Sequence, residues 1–216
     1  MTDILLNLIV LAVLALIGGA IFLLVRRNQA AEEQKLVHLA AQRGWTYESI
    51  REPLAWGLRL STPGWTLESL SRSSGREAAP GSSNVSMSTS WHADMAGSPV
   101  LVGPRTTQVD LGGFGDLLTR QVLGAALGSE AEGLSEVRMG SADFQKRYMV
   151  WARTPAEAAE IATPALQSAL LAWKGVAPVV KRSSASLEVE LRGARVKKAD
   201  EIIPLVELGE MLLRSS

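Results

Sequence analysis

Val85-Ser86-Met87-Ser88-Thr89-Ser90-Trp91-His92 alternates larger with small polar side chains along its length. Successive side chains of a strand point to opposite faces, so Val85, Met87, Thr89 and Trp91 share one face. Ser86, Ser88, Ser90 and His92 share the other. A strand with one apolar and one polar face belongs in an antiparallel sheet covered on one side only.

Upstream, Gly44-Trp45-Thr46-Tyr47-Glu48-Ser49 nearly recurs as Gly64-Trp65-Thr66-Leu67-Glu68-Ser69. Two copies are too few for a repeat protein. They predict two similar strands, each entered from a glycine turn. Leu58-Arg59-Leu60-Ser61-Thr62 runs into Pro63-Gly64, so residues 58–70 read as a hairpin. Residues 71–84 hold Ser, Gly, Pro and charge without periodicity and read as a flexible loop.

Downstream, Pro99-Val100-Leu101-Val102 is a short apolar strand, Gly112-Gly113-Phe114-Gly115 a turn, and Asp116 an N-cap for a helix to Leu127. Residues 144–153 read as a strand. Thr154-Pro155-Ala156-Glu157 is a capping box with proline at N1, opening a helix that runs to Lys174 before Gly175. Pro164 falls inside that helix, so a kink is expected there, or a restart capped by Thr163. Val179-Val180 and Leu187-Glu188-Val189-Glu190-Leu191 form a hairpin around Ser183-Ser184. A last helix from Asp200 carries Ile202, Leu205, Val206, Leu212 and Leu213 on one face, with Pro204 near its start.

The N-terminus is of a different kind. From Ile4 to Val25 there is no charged side chain, and Arg26-Arg27 follows at once. A helix of that length rises about 33 Å, enough for a hydrocarbon core of about 30 Å. No Lys or Arg precedes the run, as a signal peptide would require. A retained transmembrane anchor over residues 1–28 is therefore expected, in contact with the lipid bilayer through residues 4–25. Arg26, Arg27, Lys35 and Arg43 follow the run, so the positive-inside rule places the C-terminal domain in the cytoplasm. Ala12, Ala15 and Gly19 form a small-residue ridge suited to a homodimer. Residues 29–44 read as a juxtamembrane helix with Leu36, Leu39 and Ala40 in one stripe and Gly44 as its C′ stop. Residues 45–216 then form the α+β domain.

The chemistry offered is sparse. Lys+Arg and Asp+Glu both total 22, so no positive field draws nucleic acid. There is no cysteine, and two histidines cannot make a three-His zinc site. No phosphate-binding glycine loop, dinucleotide fingerprint or nucleophile elbow occurs. No metal and no cofactor is expected. His38, between Val37 and Leu39, reads as a packing or interfacial residue. His92 and Asp94, two apart on one strand, share a face and form the one candidate acid–base pair. The six tryptophans, Trp45, Trp56, Trp65, Trp91, Trp151 and Trp173, read mostly as core anchors. Trp56, between Pro53 and Gly57 in a segment without periodicity, is the one expected at the surface and is a candidate binding residue. Asn84-Val85-Ser86 matches a glycosylation acceptor, without consequence in a cytoplasmic domain.

The segment from Phe144 through Tyr148, Val150, Ala152, Thr154, Ala158, Ile161 and Pro164 to Leu166 resembles a pattern in an uncharacterised family of bacterial membrane-anchored proteins. The 179–191 hairpin and the order of anchor, charged helix and Gly-Trp-Thr-Tyr-Glu extend the resemblance. It implies a single-pass protein of the bacterial inner membrane with a cytoplasmic α+β domain, and it supplies no catalytic residues. The expected function is a non-enzymatic binding or scaffolding module with a protein or lipid partner. The alternatives are a membrane-proximal, hydrolase-like enzyme using His92 and Asp94, and a subunit of a larger membrane complex docking through the helix of residues 114–127.

Overall fold

A computed structural model describes residues 2–75, 84–105, 124 and 126–215. The chain is an α+β fold built on one antiparallel sheet. Its strands are β1 (Thr46–Arg51), β2 (Ala55–Thr62), β3 (Trp65–Ser73), β4 (Val85–Asp94), β5 (Val100–Pro104), β6 (Ser135–Glu136), β7 (Tyr148–Ala152), β8 (Val179–Arg182) and β9 (Ser186–Arg192). Their order in space is β1-β2-β3-β4-β9-β8-β5-β7-β6. The helices are α1 (Thr2–Arg43), α2 (Ala142–Arg147), α3 (Pro155–Ile161), α4 (Pro164–Ala172) and α5 (Ala199–Arg214).

The first four strands are a meander, with hairpins where the glycine turns require them. The two Gly-Trp-Thr segments lie on either side of β2, and the Trp45 and Trp65 rings meet edge to face at 5.4 Å. Trp91 continues the row at 6.2 Å from Trp65. The β8–β9 hairpin inserts between the consecutive strands β4 and β5. Arg182 holds the link that steps over it: its Nε donates to the Ser98 carbonyl at 2.7 Å, and its guanidinium pairs with Glu160 of α3 at 2.7 Å.

The two sheet faces divide as the alternation requires. Leu58, Leu60, Leu67, Trp91, Val180, Leu187 and Val189 are buried beneath the helices. Each such burial stabilises by about 1.5–3 kcal/mol. The other face is polar and laced with ions across β1, β2, β3, β9 and β8. Its β5/β7 end is covered by Ala126, Leu127, Ala131 and Leu134, which pack on Leu101 and Trp151. Helix α5 presents Ile202, Leu205, Val206, Leu208, Gly209 and Leu212 to the sheet. Gly209 is required there, because a Cβ would fall 2.3 Å from the Trp91 ring.

Most sequence expectations recur: the 58–70 hairpin, the Thr154 capping box, the Thr163 restart, the 179–191 hairpin and the final helix. Two need correction. Residues 144–153 are not one strand. Ser141 caps α2 by accepting from the Phe144 N–H, Asp143 and Lys146-Arg147 suit the two helix ends, and the strand starts only at Tyr148. The loop expected over 71–84 begins late, because β3 continues to Ser73 by pairing with β4 as far as Val85. Residues 76–83 of that loop lie outside the described residues, as does most of the expected 116–127 helix.

Helix α1 is unbroken from Thr2 to Arg43 and therefore joins the expected anchor and juxtamembrane helix into one rod. Most side chains of residues 4–25 lie outside the described set; among the described residues no helix is long and apolar enough to cross a membrane. Ile17, Leu23 and Leu24 are exposed on α1. At its far end Leu36 and Ala40 are buried against the domain. Glu33 accepts from the Tyr47 hydroxyl and from Arg51, each at 3.4 Å. Gly44, at φ +70°, turns the chain from α1 into β1.

Candidate functional site

Two polar residues on the apolar face of the sheet begin the site. Ser69 and Thr89 are fully buried and lie opposite one another in the β3/β4 register. Neither is orphaned. The Ser69 hydroxyl donates to the Val196 carbonyl at 2.6 Å, and Thr89 Oγ1 accepts from the Val196 N–H at 3.0 Å. Thr89 also reaches the Ala194 carbonyl at 3.0 Å. Together they pin the 194–196 link between β9 and α5 to the sheet, satisfying backbone groups that burial would otherwise penalise.

Arg195 sits between the two pinned residues. Its Nε is buried and has no hydrogen-bond partner. Burial lowers the guanidinium's pKa, and the Tyr47 phenol is the neighbour that opposes this. Among the described residues Arg195 forms no ion pair. Buried donors without partners are uncommon, and a guanidinium so placed is a ready donor for an incoming acceptor.

Arg195 lines a groove of about 670 Å³ between α4, α5 and the end of β9. Its walls are Ala169, Ala172, Leu191, Val196, Leu208 and Met211, with Trp173 at one side. Trp173 is fixed by its indole N–H, which donates to the Val176 carbonyl at 2.9 Å. Helix α4 ends at the groove, where Trp173 turns extended, and its last carbonyls are satisfied from outside: Leu170 accepts from the Tyr148 hydroxyl at 3.0 Å and Leu171 from Arg147 at 2.8 Å. Asp200, Glu201 and Glu207 line the same groove without pairing with Arg195. The volume is that of a small-molecule or peptide-segment site. Apolar walls with one unpartnered guanidinium suit an apolar group that carries an acceptor oxygen.

The residues singled out in the sequence lie elsewhere. His92 is exposed on the polar sheet face, in register with Thr66 and Glu188, while Asp94 faces Ser186. Neither lines the groove. Among the described residues no three His, Asp or Glu groups converge as a metal site. His38 is exposed and lies 3.0 Å from Gln42 one turn on. Trp45, Trp65, Trp91 and Trp151 are buried, whereas Trp56 is 36 % exposed as expected, although it stands in strand β2, paired with Arg51 and Ser71, and not in a segment without periodicity. Gly19 is exposed with open space around it, and the side chains of Ala12 and Ala15 lie outside the described residues. Arg195 and Trp173 carried no motif. The nearest signal was the polar pair Ser69 and Thr89 at positions where apolar residues would alternate.

Compared with protein-family models, curated proteins and solved structures, the chain matches none. The resemblance to a bacterial membrane-anchored family rests on the residues quoted for it.

Proposed function

We propose that this chain is a membrane-tethered binding module whose domain stands on a stiff rod at the cytoplasmic face. The observation that carries this is the continuity of α1. One helix runs from the uncharged stretch of residues 4–25 to side chains buried in the domain, Leu36 and Ala40, with no linker between. The exposed Ile17, Leu23 and Leu24 need an apolar surrounding, which a bilayer supplies. The Arg26-Arg27 pair puts the domain on the cytoplasmic side. Confinement at a surface raises the effective concentration of the domain toward anything else held there.

The binding surface in this proposal is the Arg195 groove, and the ligand class is an apolar chain or side chain bearing a carboxylate or carbonyl oxygen. Fractionation tests the tether: the full chain should stay with membranes through high salt and alkaline carbonate and leave with detergent. Reporter fusions after Val25 and at Ser216 should be active only with a cytoplasmic reporter. Release by carbonate would overturn the tether, and activity of an external reporter would overturn the orientation. For the groove, Trp173 is the built-in probe. Titration of the detergent-solubilised chain with a medium-length alkyl carboxylate should change the tryptophan emission; Trp173→Phe should abolish that change, which assigns it among the six indoles, and Arg195→Met should weaken the apparent affinity about tenfold or more, the scale of a lost charged hydrogen bond. An unchanged affinity in Arg195→Met would remove the guanidinium from the site.

A further inference from the structure

The chain's second apolar feature is at one end of the sheet, away from the groove. Leu54 in the β1–β2 turn is 53 % exposed, Trp56 36 % and Met87 47 %. Trp56 and Met87 both register with Ser71 on β3, so they stand on one face at one end. The turn is tied to β3: the Ser73 N–H donates to the Leu54 carbonyl at 2.8 Å.

The way α1 meets β1 decides what this end faces. The Trp45 N–H donates to the Ala40 carbonyl at 2.8 Å, so β1 starts level with Ala40. From Val25 to Ala40 the helix climbs about 22 Å. The 6 residues of β1 then run back down α1, a descent of at most about 20 Å. Contacts of Glu33 with both Tyr47 and Arg51 show the antiparallel course. The Leu54 turn, three residues beyond Arg51, is therefore directed back toward the level of Val25, where the uncharged run ends. The interfacial layer of a leaflet is about 5–7 Å thick.

We propose that Leu54, Trp56 and Met87 are a second membrane contact, seated in the headgroup layer of the bilayer that α1 crosses. The proposal rests on the tether described above. Tryptophan and aliphatic side chains at a tip suit this layer, which accepts both apolar body and indole N–H. The exposed Arg51 and Arg72 flank the tip; each is held only by a long ion pair, Arg51 to Glu33 at 3.4 Å and Arg72 to Glu68 at 4.0 Å, so both can turn to anionic headgroups, with Glu52 beside them as an opposing charge. Two contacts, one through the membrane and one upon it, fix the domain's tilt as well as its height.

The absence of cysteine from the sequence makes site-specific labelling clean. Three single-cysteine variants of the full chain, Leu54→Cys, Pro63→Cys and Leu23→Cys, carry an environment-sensitive fluorophore in vesicles of zwitterionic lipid with and without anionic lipid. Pro63 is in the β2–β3 turn at the opposite end of the sheet. The label at position 54 should shift to the blue and be quenched by lipids bearing a shallow spin label several-fold more than at position 63, and more so with anionic lipid. The label at position 23 should be quenched by deep spin labels. Quenching at 23 with position 54 behaving like 63 overturns the second contact alone. No quenching at 23 overturns the tether and the contact with it.

Discussion

The two faces of the sheet are made of the same strands and obey different physics. On the helix-covered face, Leu60, Leu67, Trp91, Val189 and Val180 form a continuous row across five strands, buried throughout. One residue further along, the opposite face carries Arg59 between Glu48 and Glu68, at 2.8 and 2.7 Å. It also carries Lys181 between Glu188 and Glu190, at 3.0 and 2.7 Å. Stability resides in the first face, because burial scales with apolar area while partly exposed ion pairs contribute about 0–1 kcal/mol each. The second face keeps the sheet soluble and in register, since a one-residue slip would exchange the two sets.

The sharpest way to break this contrast is at Trp91. It is fully buried, in contact with Trp65 and with α5 at Gly209. Trp91→Ala should cost about 3–5 kcal/mol in chemical unfolding of the detergent-solubilised chain. Its Nε1 is buried without a partner. Trp91→Phe, which deletes that donor and keeps a ring, should therefore cost clearly less. A Trp91→Ala variant as stable as the parent would mean that α5 does not rest on this ring. On the opposite face His92→Ala, one residue along, should leave the unfolding midpoint nearly unchanged.

Gly209→Ala approaches the same contact from the helix. Alanine is ordinarily the better helix residue, so the substitution would stabilise an exposed helix by about 1 kcal/mol. Here the added methyl enters the Trp91 ring, and overpacking should reverse the sign, destabilising toward the upper end of about 1–3 kcal/mol. A gain in stability would show that α5 can lift off the sheet freely.

The contrast was legible in the sequence where it is local. Alternation at period two in 85–92 identified both faces of β4, and the paired Gly-Trp-Thr segments marked two strands whose indoles meet. Thr154 announced one helix start, and Pro164 left a kink or a restart at Thr163 as the two choices, because capping needs only neighbours in the chain; the structure takes the restart. The spatial order was not legible. Nothing within the sequence of β4 or β5 says that the β8–β9 hairpin lies between them, since that rests on pairings of β4 with β9 and of β5 with β8 across about 80 to 100 residues of chain. Helix α2 was hidden because Phe144 and Tyr148 suit a strand as well as one turn of helix. The groove was hidden for the strongest reason: an arginine looks solvated in a sequence, and only the fold buries the Arg195 Nε without a partner, in a link whose flanking residues Ser69 and Thr89 hold to the sheet.

Those ties give the third test. Thr89→Val keeps the shape but removes the acceptor for the Val196 N–H and a contact to the Ala194 carbonyl. Leaving these groups buried should cost about 1–2 kcal/mol. It should also loosen Arg195, so that Trp173 emission in the groove changes even without ligand. A stability loss with unaltered Trp173 emission would detach the pin from the groove.

The smallest effect is expected on the polar face and is read most clearly through pH. Glu190 is partly buried, which by itself pushes its pKa up. Hydrogen bonds from Lys181 and Arg192 outweigh that and hold it below the usual carboxylate range. A carboxylate with a lowered folded-state pKa contributes stability above its ordinary value of 4.5, and that contribution fades as pH falls through the lowered value. Lys181→Met removes the nearer support and leaves Arg192 alone to oppose burial. Near neutral pH the loss should be about 1 kcal/mol or less. On acidification the variant should begin to lose stability at a higher pH than the parent, because its Glu190 protonates sooner. Parallel stability–pH curves would show that the ion pairs of this face do no more than coat it, and the contrast between the faces would then be complete.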